Sequence, residues 1–227
     1  VLASGADGFA EVFGLKELEE LEESDVNVFM EYIKKKSPIR QAVEWRITIK
    51  PYVDPLLEEV GSTKVLLDNN CQNSECNFGN FIADSMVDWY SSKYESDGYW
   101  TDAAIAIIQG SRIKTSINPS TNDGVILRGD VNKVFQPFYN LNLLTFTGRE
   151  LKMLLEHSVS KYVDEGENAE FLQISGLQVD YDMNHPVGQR VVDVKVLCAL
   201  CDVPELRPLD DEAEYKVIMQ SVLADGA

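Results

Sequence analysis

The run Ala103-Ala104-Ile105-Ala106-Ile107-Ile108 contains no polar residue. A strand with apolar side chains on both faces has to be covered on both, which calls for a sheet held inside a layered fold. Neighbouring segments supply the covers. Phe78 to Tyr94 places Ile82, Met86, Trp89 or Tyr90, and Lys93 at helical spacing, and Arg149 to Tyr162 turns Leu151, Leu154, Leu155 and Val159 inward. A third predicted helix starts at the N-cap Ser24, carries Val26, Phe29, Met30 and Ile33 on one face, and ends in Lys34 to Lys36 before Ser37-Pro38. Strand period appears at Val43 to Ile49, Leu177 to Tyr181, Arg190 to Leu197 and Glu214 to Val222, and Lys64 to Asp68 reads as a further strand. Lys50 to Pro55, with two prolines, reads as a connector, and the acidic run Glu17 to Asp25 as a solvated helix face. Alternating helical and strand segments give a mixed α/β class.

At 227 residues the chain can bury a sizeable core in one large domain or two small ones. Its 38 acidic against 20 basic residues leave a formal charge of −18, which repels a phosphate backbone and argues against a nucleic-acid partner. The apolar stretches are too short to span a bilayer. Val1 to Gly14 lacks a basic n-region, so the chain reads as a soluble, mature or processed product without a signal segment. Cys71 with Cys76 and Cys198 with Cys201 form two close pairs. Local disulfides are favoured over a zinc site, because zinc would have to gather all four thiolates or enlist His157 and His185. Disulfides imply a secreted or extracellular setting, and Asn118-Pro119-Ser120 offers no glycosylation sequon because its middle residue is proline.

From Cys71 onward the sequence resembles the C-terminal domain of the 5′-nucleotidase/apyrase family. The resemblance rests on Glu75-Cys76-Asn77-Phe78-Gly79-Asn80, Pro137-Phe138, Thr147-Gly148-Arg149-Glu150-Leu151, Glu156-His157-Ser158-Val159 and Phe171-Leu172-Gln173-Ile174-Ser175-Gly176-Leu177. Tyr181-Asp182, Arg190-Val191-Val192 and Val196-Leu197-Cys198-Ala199-Leu200-Cys201 continue it. It implies a layered α/β/β/α domain with a mixed sheet and helices outside, and both cysteine pairs fall where the family carries local disulfides. The order of the pieces departs from the family. There, the strand matching Tyr215 to Ala224 leads into a Gly-rich turn with Asp-Gly-Phe, a helix and a closing strand. Here Asp7-Gly8-Phe9, the Val26 to Lys36 helix and the Val43 to Ile49 strand come first. Val1-Leu2-Ala3-Ser4-Gly5-Ala6 and Val222-Leu223-Ala224-Asp225-Gly226-Ala227 agree at five of six positions and mark the cut. The expectation is a single circularly permuted domain over 1–227, built from 1–50 and 56–227 with 51–55 as connector. A homo- or heterodimer formed by domain swapping would be a route to its completion.

The family's two-metal hydrolytic centre lies in a separate N-terminal domain, and two histidines cannot furnish its ligands. The expectation is therefore a chain without enzyme activity, catalytic residues or a resident metal. Carried over position by position, the resemblance marks Phe138 as a base-stacking aromatic and Asp7 as the ribose-binding acid. Val222, or Val1 in the other copy of the hexapeptide, stands where the second stacking aromatic belongs, at a loss of about 0.5–1.5 kcal/mol of ring–ring contact. Gln109-Gly110-Ser111-Arg112-Ile113-Lys114 replaces an Asn-Gly-Gly-Gly-Ile-Arg loop, so two glycines are lost and a forked arginine becomes the point charge of Lys114. Gln72 replaces an arginine in the first cysteine turn. His157 reads as structural and His185 as exposed in a hairpin turn. Trp89 and Tyr90, with Tyr94, Tyr99 and Trp100, read either as helix packing or as a ligand groove or subunit interface. The leading functional reading is a non-catalytic secreted binding protein for a small, flat, apolar ligand such as a pigment, a bound chromophore standing as its cofactor. The alternatives are a processed part of an active nucleotidase that recognises adenosine or a nucleotide, and a dimerisation or structural module.

Overall fold

Ile105–Gln109 forms strand β2, and all five of its residues are buried, as its unbroken apolar character requires. The structure is a computed structural model, and it describes residues 50–94, 98–135, 140–163, 166 and 168–225. Expectations for the helix after Ser24, the strand at Val43 to Ile49, the repeated hexapeptide at Val1, the Asp7 position and the Phe138 position fall outside the described residues.

The described chain contains two compact units. The smaller holds residues 50–61 and 126–130. The segment read as a connector is helical here, as α1 over Lys50–Leu56. Lys50 pairs with Asp54 one turn on, and Pro51 occupies the first turn, where a missing N–H costs nothing. Strands β1 (Glu59–Ser62) and β3 (Val125–Leu127) pair, and the Arg128 Nε donates to the Glu58 carboxylate at 2.7 Å. Helix α3 spans Arg128–Val134.

The larger unit, residues 62–125 and 131 onward, carries the main sheet. Its remaining elements are α2 (Asn77–Lys93), β4 (Leu141–Thr147), α4 (Gly148–Ser158), β5 (Leu172–Ser175), β6 (Leu177–Tyr181), β7 (Val191–Leu197), β8 (Leu206–Pro208), β9 (Glu214–Gln220) and the short α5 (Ser221–Ala224). Four strands run in the order β4-β9-β2-β5, and three more in the order β6-β7-β8. In the four-stranded sheet β2 and β9 are parallel, with Ile107 opposite Met219, while β4 and β5 flank them antiparallel. The mixed α/β expectation therefore holds. Ile105, Ile107, Leu151, Leu172, Ile174, Val217 and Met219 form the main core with Val196 from β7. The opposite face of β2 is packed by α2, whose Phe78, Ile82, Ala83, Met86 and Val87 are buried.

Lys64 to Asp68 is not a strand: only Leu67 makes a β-bridge, to Ile117. Side-chain amides claim this segment instead, because the Asp68 N–H donates to Asn77 Oδ1 at 3.0 Å and Asn77 Nδ2 donates to the Leu66 carbonyl at 2.7 Å. The last strand stops at Gln220, and Val222 sits in α5.

Cys71–Cys76 and Cys198–Cys201 are disulfides. The first closes a polar turn whose backbone groups are satisfied by one side chain, Gln173 of β5, which is 0% exposed. Its Oε1 accepts the Cys76 N–H at 2.8 Å, and its Nε2 donates to the carbonyls of Cys71 and Ser74 at 2.8 and 2.9 Å. Gly79 makes room for it, since a Cβ there would lie 2.3 Å from Gln173 Oε1. Helix α4 opens on a capping box: Thr147 accepts the Glu150 N–H, and the Glu150 carboxylate accepts the Thr147 N–H at 2.8 Å.

Replacing Gln173 with Leu removes three hydrogen bonds and leaves the Cys76 N–H and Cys71 carbonyl buried without partners. At about 1–3 kcal/mol for each of the two stranded groups, denaturant unfolding should show a loss of at least about 2 kcal/mol; a loss under about 1 kcal/mol would mean the turn is held by the disulfide alone. The backbone hydrogen bond from Thr147, and then its hydroxyl, hold the Glu150 carboxyl below the usual carboxylate range. A lowered folded pKa gives stability that is complete above the unfolded value and is lost as pH falls through the folded one. Glu150→Gln should accordingly be less stable than the wild type at neutral pH and match it in acid, with urea midpoints across that range as the measurement.

Candidate functional site

Parallel neighbours β2 and β9 end together, and the crevice beyond the carboxyl ends of parallel strands is the recurrent ligand position in α/β sheets. Here Gln109 closes β2 and Gln220 closes β9, both nearly buried at 8% and 7% exposure. Buried amides at the end of an otherwise apolar pair of strands give this edge fixed hydrogen-bonding groups. A 3₁₀ turn, Gly110–Arg112, follows β2 directly. It is anchored by the Gly110 N–H on the Phe171 carbonyl at 2.9 Å, and by the Ser111 hydroxyl on the Ala169 carbonyl at 2.7 Å. Gly110 retains its glycine for packing, because a Cβ would lie 1.8 Å from the Cys71 carbonyl oxygen. The close backbone approach is thus spent against the first disulfide turn.

Both basic groups of the turn bond back to it. Arg112 Nε donates to Gln109 Oε1 at 3.2 Å, and Lys114 Nζ donates to the Ser111 carbonyl at 2.9 Å. Val222 lies on α5, whose first N–H, at Ser221, donates to the Asn140 carbonyl at 2.7 Å. A cleft of about 250 Å³ opens at this end, lined by Gln109, Leu172 and Leu223 on the sheet side and by Leu154, His157 and Ser158 of α4. Glu170 completes the lining; Lys161 pairs with one of its oxygens, and His157 Nε2 is 3.6 Å from the other. His157, read from sequence as structural, is therefore an exposed member of the cleft rim. His185 is exposed in the β6–β7 turn as expected, with Nδ1 3.0 Å from the Gln189 carbonyl oxygen.

Gln109, Arg112, Lys114 and Val222 thus stand at one end of the sheet. Trp89 and Tyr90 stand at the other. They occupy the last turns of α2, and the Tyr90 hydroxyl bonds Asp102, ahead of the first residue of β2. The length of β2, at about 3.3 Å per residue, separates the two groups. At that far end the Tyr90 and Tyr94 rings are 4.7 Å apart, Lys93 Nζ lies 4.8 Å from the Trp89 ring centre, and Trp89 is 44% exposed. Burial first, then the bond to Asp102, pushes the Tyr90 hydroxyl up to about 12. Desolvation works against the Asp102 carboxylate, but hydrogen bonds from Lys216 and Tyr90 hold it below the usual range. Gln72 is partly exposed in the first disulfide turn.

Gln173, Gln220 and Asn168 were missed by reading the sequence. Asn168 is 2% exposed and bridges the end of α4 to the disulfide turn, giving Nδ2 to the Ser158 carbonyl at 2.7 Å and its N–H to Asn73 Oδ1 at 3.1 Å. The available signal was a lone amide inside an apolar block, Phe171-Leu172-Gln173-Ile174, since a polar residue at a buried strand position must carry its own partners. Among the described residues no group of three or more His, Cys, Asp and Glu side chains is placed to hold a metal ion, and no helix is long and apolar enough to cross a membrane.

The family model for the 5′-nucleotidase C-terminal domain matches residues 59–227. The chain belongs to this family. A 5′-nucleotidase of Diplobatis ommata is 38% identical over 173 residues, covering 74% of this chain and 29% of that protein. A snake venom 5′-nucleotidase of Macrovipera lebetinus is 36% identical over 172 residues, again 74% of this chain, and 41% of that protein. Among solved structures, the 5′-nucleotidase precursor from Thermus thermophilus superposes with a TM-score of 0.66 at 27% identity, over 82% of this chain and 34% of that one. The chain therefore spans well under half the length of each of these relatives, and the shared part is the 5′-nucleotidase C-terminal domain.

Proposed function

We propose that this chain is a nucleoside-recognition module of the 5′-nucleotidase type that binds without hydrolysing. The observation that carries the reading is the convergence of Gln109, Gln220 and the Gly110–Arg112 turn at the carboxyl ends of the parallel pair, beside Val222. Amides there suit the hydrogen-bonding edges of a nucleobase or the hydroxyls of a ribose. Arg112 and Lys114 each spend a donor inside the turn, and the forked arginine of the family's loop is the point charge Lys114 here, so nucleoside is favoured over nucleotide. Hydrolysis, in this reading, needs a metal-bearing domain outside the described residues. The two disulfides and the kinship with a venom protein support a secreted or extracellular setting. The domain organisation that accompanies the reading is one permuted unit, 1–50 with 56–227, closed within one chain or by a swapped partner.

The pigment-carrier version draws less support. A cleft of about 250 Å³ falls below the roughly 300–1,000 Å³ of sites that enclose drug-sized ligands, and its sheet side presents the Gln109 amide. Adenosine added in excess should raise the melting temperature of the purified protein, and AMP should do so no better. Val222→Phe, which returns a ring to the stacking position, should tighten adenosine by about two- to tenfold in calorimetric titration. Absence of any adenosine effect in both proteins, together with visible absorbance in the native material, would overturn the proposal in favour of the pigment carrier.

A further inference from the structure

A second and larger cleft, about 580 Å³, lies at the opposite end of the main sheet. Its floor is apolar, from Ala104 and Ile105 at the start of β2 and from Val196 and Leu197 at the end of β7. Ala199 and Leu200, inside the Cys198–Cys201 turn, form one wall. This wall is fixed in place, because Trp100 Nε1 donates to the Cys198 carbonyl at 2.8 Å. The other side is the entry into β9, where the Asp210 N–H donates to the Tyr215 hydroxyl at 3.0 Å and Asp210 Oδ1 accepts the Glu212 N–H at 3.0 Å.

The charges on the rim decide what such a cleft accepts. Lys216 is committed to Asp102, which the Tyr90 hydroxyl also bonds, and Arg207 Nε donates to the Glu205 carboxylate at 2.8 Å. Both cations of the rim are thus neutralised by carboxylates. Asp210 and Glu214 add two more negative charges to the lining, with no cation within ion-pair distance of either among the described residues. The surplus is acidic, on a protein whose formal charge of −18 concentrates cations around it. A volume inside the range of small-molecule sites, an aliphatic floor and an acidic rim together define one ligand class.

We infer that this cleft binds a small flat or aliphatic molecule carrying a protonated amine, its apolar body on Leu197, Ala199 and Leu200 and its ammonium between Asp210 and Glu214. The site is separate from the nucleoside-recognition end and does not rest on that reading. It also gives the Tyr90 end of α2 a function, since Tyr90 holds Asp102 against Lys216 and so keeps that cation from the incoming amine.

Tryptamine and indole-3-acetate share a ring and differ in the sign of their charge. Isothermal titration of the whole chain should show tryptamine binding and no measurable indole-3-acetate binding, with the tryptamine affinity falling as salt is raised. Asp210→Asn with Glu214→Gln alters only exposed groups and should weaken tryptamine at least about tenfold, while the far-UV circular dichroism and the melting temperature of the free protein stay at their wild-type values. Equal binding of the two indoles, no binding of tryptamine, or wild-type tryptamine affinity in the doubly substituted protein would each overturn the assignment. A melting temperature well below the wild type's would signal misfolding of the double variant, and Glu214→Gln by itself, at an exposed strand position, then carries the same test.

Discussion

One buried amide sets the geometry on which the rest depends. Gln173 stands between Leu172 and Ile174 in β5, and its side chain makes three hydrogen bonds to a turn about a hundred residues away in sequence. That contact fixes the Cys71–Cys76 turn against β5, and the same turn receives Gly110 at a distance no other residue would allow. The end of β2 therefore has a single position. A buried amide with all its partners rigidifies a core and one with partners missing destabilises it, so the arrangement is specific as well as stabilising. The disulfide adds covalent closure to a turn that the amide has already placed.

From that fixed end the polar chemistry separates along β2. At the carboxyl end, Gln109 lines a small cleft and leads into a tight turn whose cations bond back onto it. At the amino end, a chain of Tyr90, Asp102 and Lys216 stands beside a larger cleft with an aliphatic floor and surplus carboxylates. A strand covered on both faces can offer chemistry only at its two ends, because its sides are occupied by the core. The strong acidity of the chain fits both ends as proposed: a neutral nucleoside at one and a cationic amine at the other, with phosphate favoured at neither.

Much of this was legible from residue pattern. The apolar run at Ala103 to Ile108 read correctly as a strand buried on both faces, and the helical spacing of Ile82 and Met86 and of Leu151 and Leu155 placed the two long helices. What failed were segments where side-chain amides compete with the sheet. Lys64 to Asp68, with Val65, Leu66 and Leu67 in succession, reads as a strand, but Asn77 takes backbone groups of Leu66 and Asp68. Strand period continues through Glu214 to Val222, yet the strand ends on the buried Gln220 and the chain turns into α5. Trp89 and Tyr90 read either as helix packing or as a ligand groove or subunit interface, and sequence carries no information about which end of a strand a helix terminus will meet. Gln173 lies between Leu172 and Ile174 in the block from Phe171 to Leu177, and a lone polar residue at a buried strand position is the clearest pointer to its role.

The central claim is that recognition happens at the carboxyl end of the β2 and β9 pair. Amide chemical-shift mapping of the isotope-labelled protein with adenosine tests it most directly. The account predicts shifts concentrated at Gln109 to Lys114 and Gln220 to Leu223, with the Trp100 indole N–H unmoved. Shifts confined to Trp100, Asp102 and the Cys198–Cys201 turn, or no shifts at saturating adenosine, would contradict it.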